Sequence, residues 1–446
     1  MNTPIFDFVK RYSEGNALRF HMPGHKGAEL LGFEKYDITE VQGADSLYEA
    51  DGIIAESERN ASELFGCATY YSTEGSSHCI RAMLFLASIW AKSRGRALHV
   101  AALRNVHKAF LSAAVLNDFD ISWICPKESE TYLSCGSCIE EIESFFSENH
   151  KSISVLYITS PDYLGNMADI KRIAEICRKY DVLFLVDNAH GAYLKFLEPS
   201  EHPIDLGADI CCDSAHKTLP SLTGGAYLHL SNRVCAELSP QAKNALALFG
   251  SSSPSYLTLA SLDMTNKYLS EGYREKLKDF CKEIKQAKHS LEDFGYSFFG
   301  SEQMKLTIEA KKYGYLGTSL ARILRDEGIE TEFADPDYLV LMPTPELGKG
   351  GLIRLTQVLL SVKKAESIKE KAPLPRLTKK AMSPKEAMMS PSEEIPVEKS
   401  MGRVLASPGV SCPPAVPILI CGEVIDENAV ESFKYYGIKN ISVVKK

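Results

Sequence analysis

The sequence predicts an α/β fold built on a mostly parallel β-sheet, and three observations support this prediction. Short apolar runs recur in the first half of the chain without polar alternation, as expected for parallel strands covered on both faces. Helical stretches lie between these runs, and alternating strands and helices are typical of a parallel sheet. Polar and titratable residues follow each run directly, which is where such sheets place their chemistry.

The chain begins with a polar, turn-rich segment, residues 1–45, which we interpret as an N-terminal arm. Its centre, His21–Gly27, contains a proline and two glycines, so we expect a fixed loop and no helix there. Apolar residues at helical spacing then predict helices over 52–65 and 77–90.

The predicted strands are short and apolar throughout, and a helix predicted over 170–180 lies between two of them. They cover residues 97–103, 154–159, 182–186 and 208–212. These elements define a large domain, residues 46–265, to which we assign the cofactor site.

The second half of the chain is divided by its composition. A smaller α/β domain is expected over 266–365. Lysine, glutamate, proline, serine and methionine dominate residues 366–400, which favours an exposed linker. A small C-terminal domain over 401–446 follows, with a last strand at 441–444.

Composition restricts the class of protein. The chain of 446 residues is 45% hydrophobic and 24% charged, which is ordinary for a folded globular protein and excludes disorder of the bulk. The net charge of −8 argues against a nucleic-acid role, which normally shows a basic excess. No apolar run reaches the roughly 18 residues that span a bilayer, and no secretion signal is recognised, so a cytoplasmic location is expected.

Cysteines and histidines are the residues of this sequence that could bind a transition metal. With twelve cysteines and no export signal, reduced thiols are the default expectation. Cys135 and Cys138 form a single C-x-x-C without nearby histidines, which favours ordinary thiols over a redox or metal role. His21 and His25 lack a further ligand, so they are interpreted as structural or substrate-adjacent. No metal site is predicted.

Polar residues stand at the ends of the four predicted strands. Each group alone is weak support for a site, but four in succession indicate a single site at one edge of the sheet. The groups begin at Arg104, Ser160, Asp187 and Asp213.

Lys217 and Asp187 suggest a specific chemistry. A lysine that follows a buried strand is partly desolvated, so its free amine becomes available to a carbonyl. Pyridoxal phosphate sites typically pair such a Schiff-base lysine with an aspartate at the pyridine nitrogen. Alone, Lys217 is more simply a surface lysine and Asp187 a turn cap.

An anion site is predicted at the start of the helix over 77–90. Gly75, Ser76 and Ser77 bring small residues and hydroxyl groups to a helix N-terminus, which suits a phosphate ester. A simple N-cap is the alternative. His107 and His216 lie in the same zone, and the order of phosphate loop, histidine, aspartate and Ser-x-His-Lys fits a pyridoxal-phosphate enzyme of the aspartate-aminotransferase fold.

The sequence resembles the bacterial ornithine/lysine/arginine decarboxylase family, and the matching segments run in order along nearly the whole chain. They are FHMPGHKG, EGSSH, RNVHKAF, VDNAHGAY, DSAHKTLPSLTGGAYLH, SSSPSYLTLASLD and GRVLASPGVSCPPAVPILICGE. The resemblance implies the fold type I architecture of pyridoxal-phosphate transferases and a compact member of the family, because the chain is short.

The resemblance also implies roles for individual residues. Lys217 would bind the cofactor covalently, Asp187 would pair with its ring nitrogen, and His107 would stack on its ring. His190 would lie near the cofactor. Contacts to the phosphate or the substrate end would come from Gly75, Ser76, Ser77, Ser214 and His216. Serines 251–253, with Ser252 at their centre, would reach the cofactor of a partner subunit in a homodimer with shared sites.

The activity implied is decarboxylation of arginine, lysine or ornithine to CO2 and a polyamine precursor. Another reaction on the same fold, such as transamination or a lyase reaction, stays open, as does a non-catalytic descendant. Glu74 stands where the family usually has a neutral asparagine, and Asn188 where many members have an acid, which leaves the substrate in doubt. Lys217 or His216 would return the proton to Cα, and the sequence does not choose between them.

Overall fold

The structure is a computed structural model that describes residues 1–125, 131–136, 138–374, 376–408 and 415–445. The chain divides into two compact units, each built from several segments. The first unit comprises Met1–Leu98, Ser154–Tyr157 and Ile170–Lys276, and the second comprises His99–Ile153, Ile158–Asp169 and Leu277–Lys446.

The α-helices follow the amphipathic stretches of the sequence, and those predicted over 52–65, 77–90 and 170–180 are confirmed within a few residues. They are α1 Pro4–Glu14, α2 Ile53–Phe65, α3 Ser76–Ser93, α4 Lys108–Asn117, α5 Ile139–Asn149, α6 Ile170–Lys179, α7 Pro203–Leu206, α8 Ala215–Thr218, α9 Asn232–Phe249, α10 Tyr256–Ser270, α11 Tyr273–Asp293, α12 Gly317–Asp326, α13 Gly348–Ser361, α14 Pro384–Met389 and α15 Glu427–Tyr435.

The strands include all five that the sequence predicts, again with small shifts at their ends. They are β1 Ala68–Ser72, β2 His99–Leu103, β3 Asp120–Ile124, β4 Val155–Thr159, β5 Leu183–Asp187, β6 Ile210–Asp213, β7 Ala226–Leu230, β8 Phe298–Phe299, β9 Leu306–Glu309, β10 Phe333–Ala334, β11 Tyr338–Leu341, β12 Ser392–Pro396 and β13 Asn440–Val444.

The sheet of the first unit has the strand order β1-β7-β6-β5. β5 and β6 are parallel, with Leu185 opposite Ile210, and every residue of both strands is buried. β7 runs antiparallel to both of its neighbours, β6 and β1. It follows β6 after only the single-turn helix α8, and a parallel partner would need a longer crossover.

This topology brings three chain segments to one edge of the sheet. β1, β5 and β6 all run in the same direction, because β1 and β6 are both antiparallel to β7. Their carboxyl ends therefore lie at the same edge. The loop from β1 to α3, the segment after Asp187 and the segment after Asp213 all start there, as the sequence predicted for β5 and β6.

The second unit contains the parallel pair β2 and β3, an antiparallel sheet in the order β10-β11-β9-β8 and the antiparallel pair β12 and β13. A core of buried residues, including Leu405, Ile425 and Phe433, lies beneath the last pair. The segment expected as a linker, 366–400, contains α14 and β12, so part of it is regular structure. Within the described residues, no helix combines the length and apolar character needed to cross a membrane.

Candidate active site

Asp187 ends β5 and lies almost fully buried, with 2% of its surface exposed. Its Oδ2 accepts a hydrogen bond from the Tyr157 hydroxyl at 3.1 Å, and its Oδ1 accepts one from the Ala189 N–H at 3.1 Å. Burial raises the pKa of Asp187, and the positive charge of Lys217 opposes that shift most strongly. A carboxylate that is held in place and buried gains from an opposite charge nearby. Asp187 therefore suits the protonated ring nitrogen of the cofactor.

Lys217 lies in the single-turn helix α8 directly after β6, and it is half-buried. Its Nζ is 3.1 Å from Nε2 of His190, a buried residue three positions after Asp187. The sequence predicted this grouping of Lys217, Asp187 and His190, and the structure brings them together in the first unit.

The N-terminus of α3 meets the loop that precedes β7. Gly75 adopts a left-handed conformation with φ +74°, and its N–H donates to the Gly224 carbonyl at 2.8 Å. Gly224 has φ +96°, and a Cβ there would lie 2.6 Å from the Thr73 carbonyl oxygen. Both positions require glycine, since one needs positive φ at a close approach and the other leaves no room for a side chain.

Hydroxyl groups surround this helix N-terminus. Ser76 is buried, Ser77 is half-buried, and Ser214 donates a hydrogen bond from its Oγ to Oγ of Ser76 at 2.8 Å. The first turn of α3 contains no acidic residue. Backbone N–H groups of the first turn, hydroxyls and the positive end of the helix dipole together fit a phosphate ester.

Glu74 is the residue whose charge would disturb such a site. Its Oε1 accepts a hydrogen bond from the Ser251 N–H at 2.6 Å, so the carboxylate is engaged with the segment after α9. Glu74 therefore has a partner outside the helix N-terminus, and its bearing on the substrate stays open. The donor set around α3 fits the phosphate, and Asp187 fits the ring nitrogen.

His216 lies beside the same helix N-terminus, where a Cβ at Gly75 would be 3.9 Å from its Cε1. Its Nδ1 is 3.0 Å from the Gly225 carbonyl oxygen. Because a carbonyl can only accept, the proton of the ring lies on Nδ1. His216 is therefore oriented by the backbone of the loop that approaches Gly75.

Two predicted site residues, Ser252 and His107, have no contact with Lys217 or Asp187 among those described above. Ser252 is exposed in the segment between α9 and α10, and its predicted role toward a partner subunit stays a prediction. His107 belongs to the second unit, where its Nδ1 accepts from the Ala109 N–H at 3.1 Å and caps α4. Its predicted stacking on the cofactor ring also stays a prediction.

A buried cluster around Asp213 was missed from the sequence. Oδ1 of Asp213 accepts from the Asn188 amide at 2.7 Å, and Oδ2 accepts from Nε2 of His202 at 3.1 Å and of His229 at 3.2 Å. These donors and burial act in opposite directions, and the two imidazoles hold the pKa of Asp213 well below its usual range. The cluster links the residue after Asp187 to the residue before Ser214.

Asp213 was among the strand-end residues predicted from the sequence, but its histidine partners were not, and no motif marks His202. Together with Cys211, the aspartate and the two histidines have the residue types of a metal site. However, the Ile204 N–H donates to Nδ1 of His202 at 3.4 Å, so the proton of this ring lies on Nε2, toward Asp213. That tautomer favours a hydrogen-bonded cluster over metal coordination.

Cys135 and Cys138 lie in the second unit and are buried free thiols. Burial raises the pKa of each thiol to about 12, so neither is a reactive thiolate near neutral pH. The late motif that resembles the family's C-terminal domain includes residues 409–414, which lie outside the described residues.

Comparisons with known proteins agree with this geometry. Residues 3–304 match the family model "Orn/Lys/Arg decarboxylase, major domain" and residues 366–440 match "Orn/Lys/Arg decarboxylase, C-terminal domain". Arginine decarboxylase from Bacillus subtilis is 29% identical over 98% of this chain and 94% of its own length. Arginine decarboxylase from Halalkalibacterium halodurans is 30% identical, over 96% and 91%.

The fold is also similar to solved structures at low sequence identity. A lysine decarboxylase from Francisella novicida superposes with a TM-score of 0.80 at 16% identity, over 99% of this chain and 81% of that chain. Lysine decarboxylase A from Pseudomonas aeruginosa gives 0.81 at 16% identity, over 99% and 80%. A serine palmitoyltransferase from Sphingomonas wittichii gives 0.58 at 14% identity, over 81% and 83%. The predicted α/β architecture of fold type I is thus confirmed.

Proposed function

The chain belongs to the Orn/Lys/Arg decarboxylase family, and we propose that it decarboxylates a basic amino acid with pyridoxal phosphate as cofactor. The products are CO2 and the corresponding amine, a polyamine precursor. The observation that carries the proposal is the grouping of Lys217, His190 and Asp187 beside the strand ends of the first unit. The anion site at Gly75, Ser76 and Ser77 supports it.

The chemistry of the cofactor and that of the protein can be separated. When bound, pyridoxal phosphate supplies an electron sink for the bond that breaks at Cα. Asp187 keeps a proton on the ring nitrogen, because its buried carboxylate gains from an opposite charge. Tyr157 and the Ala189 N–H fix both oxygens of that carboxylate, so it cannot rotate away.

Lys217 would hold the cofactor through its amine, which lies beside the buried acid Asp187. His190, at 3.1 Å from Nζ, orients this amine. The proton that ends the reaction at Cα would come from the Lys217 ammonium group or from His216. Because the Nδ1–H of His216 is engaged by the Gly225 carbonyl, His216 could donate only from Nε2, as an imidazolium. Ser76, Ser77 and Ser214 hold the phosphate, and their hydroxyl groups keep it at the helix N-terminus.

Arginine is the first substrate to test. Full-length relatives named arginine decarboxylase support this choice, whereas the lysine decarboxylase structures are too dissimilar in sequence to bear on the substrate. We also propose a homodimer with shared sites, in which the exposed Ser252 reaches the partner's cofactor, and a cytoplasmic location. His107 would stack on the cofactor ring.

The proposal is tested by release of CO2 from arginine, lysine and ornithine by the holoenzyme. We expect turnover of one of the three and its loss by at least about a thousandfold in Lys217→Ala, because no other group replaces a covalent catalyst. Lys349→Ala, at a lysine whose side chain is 73% exposed, is the matched control. Conversion of the cofactor to its amine form without CO2 release would establish a transaminase instead, and no turnover at all would favour a non-catalytic protein.

A further inference from the structure

An open cavity of about 580 Å³ lies within the second unit. Its walls come from α12, β10, the segments on either side of β10, the end of α15 with the two residues after it, and residue 132. Four aromatic residues and two acids among the lining residues set its character: Tyr132, Phe333, Tyr435, Tyr436, Glu332 and Asp335. A concave site with aromatic walls and a few polar groups is the usual form of a small-molecule site.

Asp335 is the fixed acid of this cavity and is only 6% exposed. Its Oδ1 accepts from the backbone N–H groups of Asp337 at 2.8 Å and Tyr338 at 2.7 Å. Its Oδ2 is buried and has no hydrogen-bond partner among the residues that the structure describes. A buried carboxylate oxygen without a partner is costly, and it is rare in folded proteins.

Other charged groups near Asp335 already have partners. Asp337 is paired with Lys311 at 3.0 Å and accepts from the Tyr435 hydroxyl at 2.8 Å. Arg325 is the basic residue among the lining residues, and its Nε lies 3.3 Å from a Glu330 oxygen.

Glu332 adds a second carboxylate to the wall, and it accepts from the Tyr163 hydroxyl at 3.1 Å. The side chain of Arg325 is 60% exposed, so it is free to stay in solvent. The cavity wall therefore has two acidic residues, Glu332 and Asp335, and one basic residue, Arg325. Of the two acids, Asp335 is the one with a buried oxygen that lacks a hydrogen-bond partner among the described residues.

Aromatic rings make up much of the cavity wall. Nζ of Lys311 already lies 4.8 Å from the centroid of the Tyr435 ring. This leaves the rings of Tyr132, Phe333 and Tyr436 for a ligand. The rings of Tyr132 and Tyr436 meet edge to face with centroids 4.8 Å apart, and those of Tyr435 and Tyr436 meet at 5.0 Å. Burial raises the pKa of the Tyr435 and Tyr436 hydroxyls, so both stay neutral. Neutral electron-rich rings beside a buried acid are the combination that recognises organic cations.

We propose that this cavity binds an organic cation, an alkylammonium or guanidinium group, with Asp335 as its counter-charge. The inference goes beyond the proposed reaction, because it rests on the cavity of the second unit alone. Such a cation has two sources in the proposed reaction, the basic amino acid or the amine product. The two share the cationic end, and the amino acid differs by its carboxylate.

Binding should depend on pH through Asp335. Burial and the charge of Asp337 raise its pKa to about 7, and Lys311 opposes them. Glu332, Arg325, Tyr435 and Tyr436 are the other titratable groups at the wall. Because the ionised form binds the cation, affinity rises with pH, by about tenfold between roughly pH 6 and pH 8 for a group half-ionised at 7.

The experiment is calorimetric titration of the full chain, carrying Lys217→Ala to prevent turnover and saturated with pyridoxal phosphate. The probes are agmatine and cadaverine on one side, and arginine and lysine on the other. Asp335→Asn is the test variant, since its amide keeps an oxygen for the two N–H groups. Asp293→Asn, at a side chain that is 70% exposed, is the control.

We expect Asp335→Asn to lower affinity for the bound probe at least tenfold at pH 8 and to abolish the pH dependence, while Asp293→Asn changes neither. Tighter binding of the amines identifies the product as ligand, and tighter binding of the amino acids identifies the substrate. Equal affinity of Asp335→Asn and the unaltered cavity for every probe, or no binding at all, overturns the proposal. The CO2 assay is independent, so the two proposals fail separately.

Discussion

Two buried aspartates, one in each unit, show how much the surroundings of a carboxylate matter. Asp213 in the first unit is fully buried and accepts from Asn188, His202 and His229, and its pKa lies well below the usual range. Asp335 in the second unit is nearly as buried, yet its pKa is raised to about 7. Burial is common to both, so the neighbouring groups decide the direction of the pKa shift: two imidazoles face Asp213, whereas the like charge of Asp337 lies near Asp335.

The difference has a structural meaning. The three side-chain donors of Asp213 tie the ends of β5 and β6 together beside the candidate active site. The one unpartnered oxygen of Asp335 leaves charge at a cavity wall. A buried acid thus either serves as a fixed joint of the fold or stays available to a ligand, according to how many donors face it.

The largest effect on the free energy of unfolding is expected from removing the carboxylate of Asp213, which accepts three side-chain hydrogen bonds. Asp213→Ala should lower the free energy of unfolding by about 3–5 kcal/mol, because Asn188 and two imidazoles lose their acceptor inside the protein. Unfolding in urea at neutral pH measures this. Asp293→Ala at an exposed position should change the same quantity by no more than about 0.5 kcal/mol. A loss at Asp213 of under about 1 kcal/mol would show that the cluster is not a joint of the fold.

A smaller effect, an increase in stability, is expected from replacing Asp335, whose carboxylate has one oxygen without a hydrogen-bond partner among the described residues. The pKa of Asp335 is raised from 3.8 to about 7, so the unfolded chain loses its proton first, and ionisation costs stability as pH rises through this window. Asp335→Asn should therefore be more stable than the unaltered protein, with an advantage that grows by about 2.5 kcal/mol between roughly pH 5 and pH 8.

Urea unfolding of the Asp335→Asn and unaltered proteins at the two pH values checks this expectation. An advantage that stays constant would contradict the raised pKa. By contrast, the lowered pKa of Asp213 makes its contribution constant above the ordinary value of 3.8 and lost only in acid below it.

The smallest effect is expected when Asn188, one of the three side-chain donors to Asp213, is removed. Asn188→Ala leaves His202 and His229 on Asp213, so the cost should be about 1–2 kcal/mol in the free energy of unfolding. Asn188→Asp is the sharper variant, because it sets a second acid against Asp213 and should cost more. If Asn188→Ala lowered the free energy of unfolding as much as Asp213→Ala, the hydrogen bond from the Asn188 amide would account for the whole contribution of Asp213, and the two histidines for none of it.

The strands and the candidate pair of Asp187 and Lys217 were predictable from the sequence, because both depend on local patterns. Apolar runs predicted β5 and β6. Asp187 directly follows the first run, and Lys217 lies in the polar group that follows the second. The family resemblance added Ser214 and His190, which the structure places beside Ser76 and Lys217.

The rest depends on contacts between distant segments. His202 comes from the segment before α7 and reaches Asp213 only through the folded sheet, so no spacing reveals it. The antiparallel direction of β7 follows from a short connection, which apolar runs do not encode. The environment of Asp335 likewise depends on which side chains the fold places against it, and the sequence shows only an acid between two short strands.

The contact between the loop of Gly224 and the carbonyl of Thr73 has a consequence for how the protein tolerates change. A side chain at position 224 would meet backbone at 2.6 Å, and the residue would also be held at positive φ. In a library that samples all twenty amino acids there, we expect selection for activity to return glycine almost alone. Position 95, also a glycine with positive φ but with open space around it, should accept asparagine or aspartate in the same library.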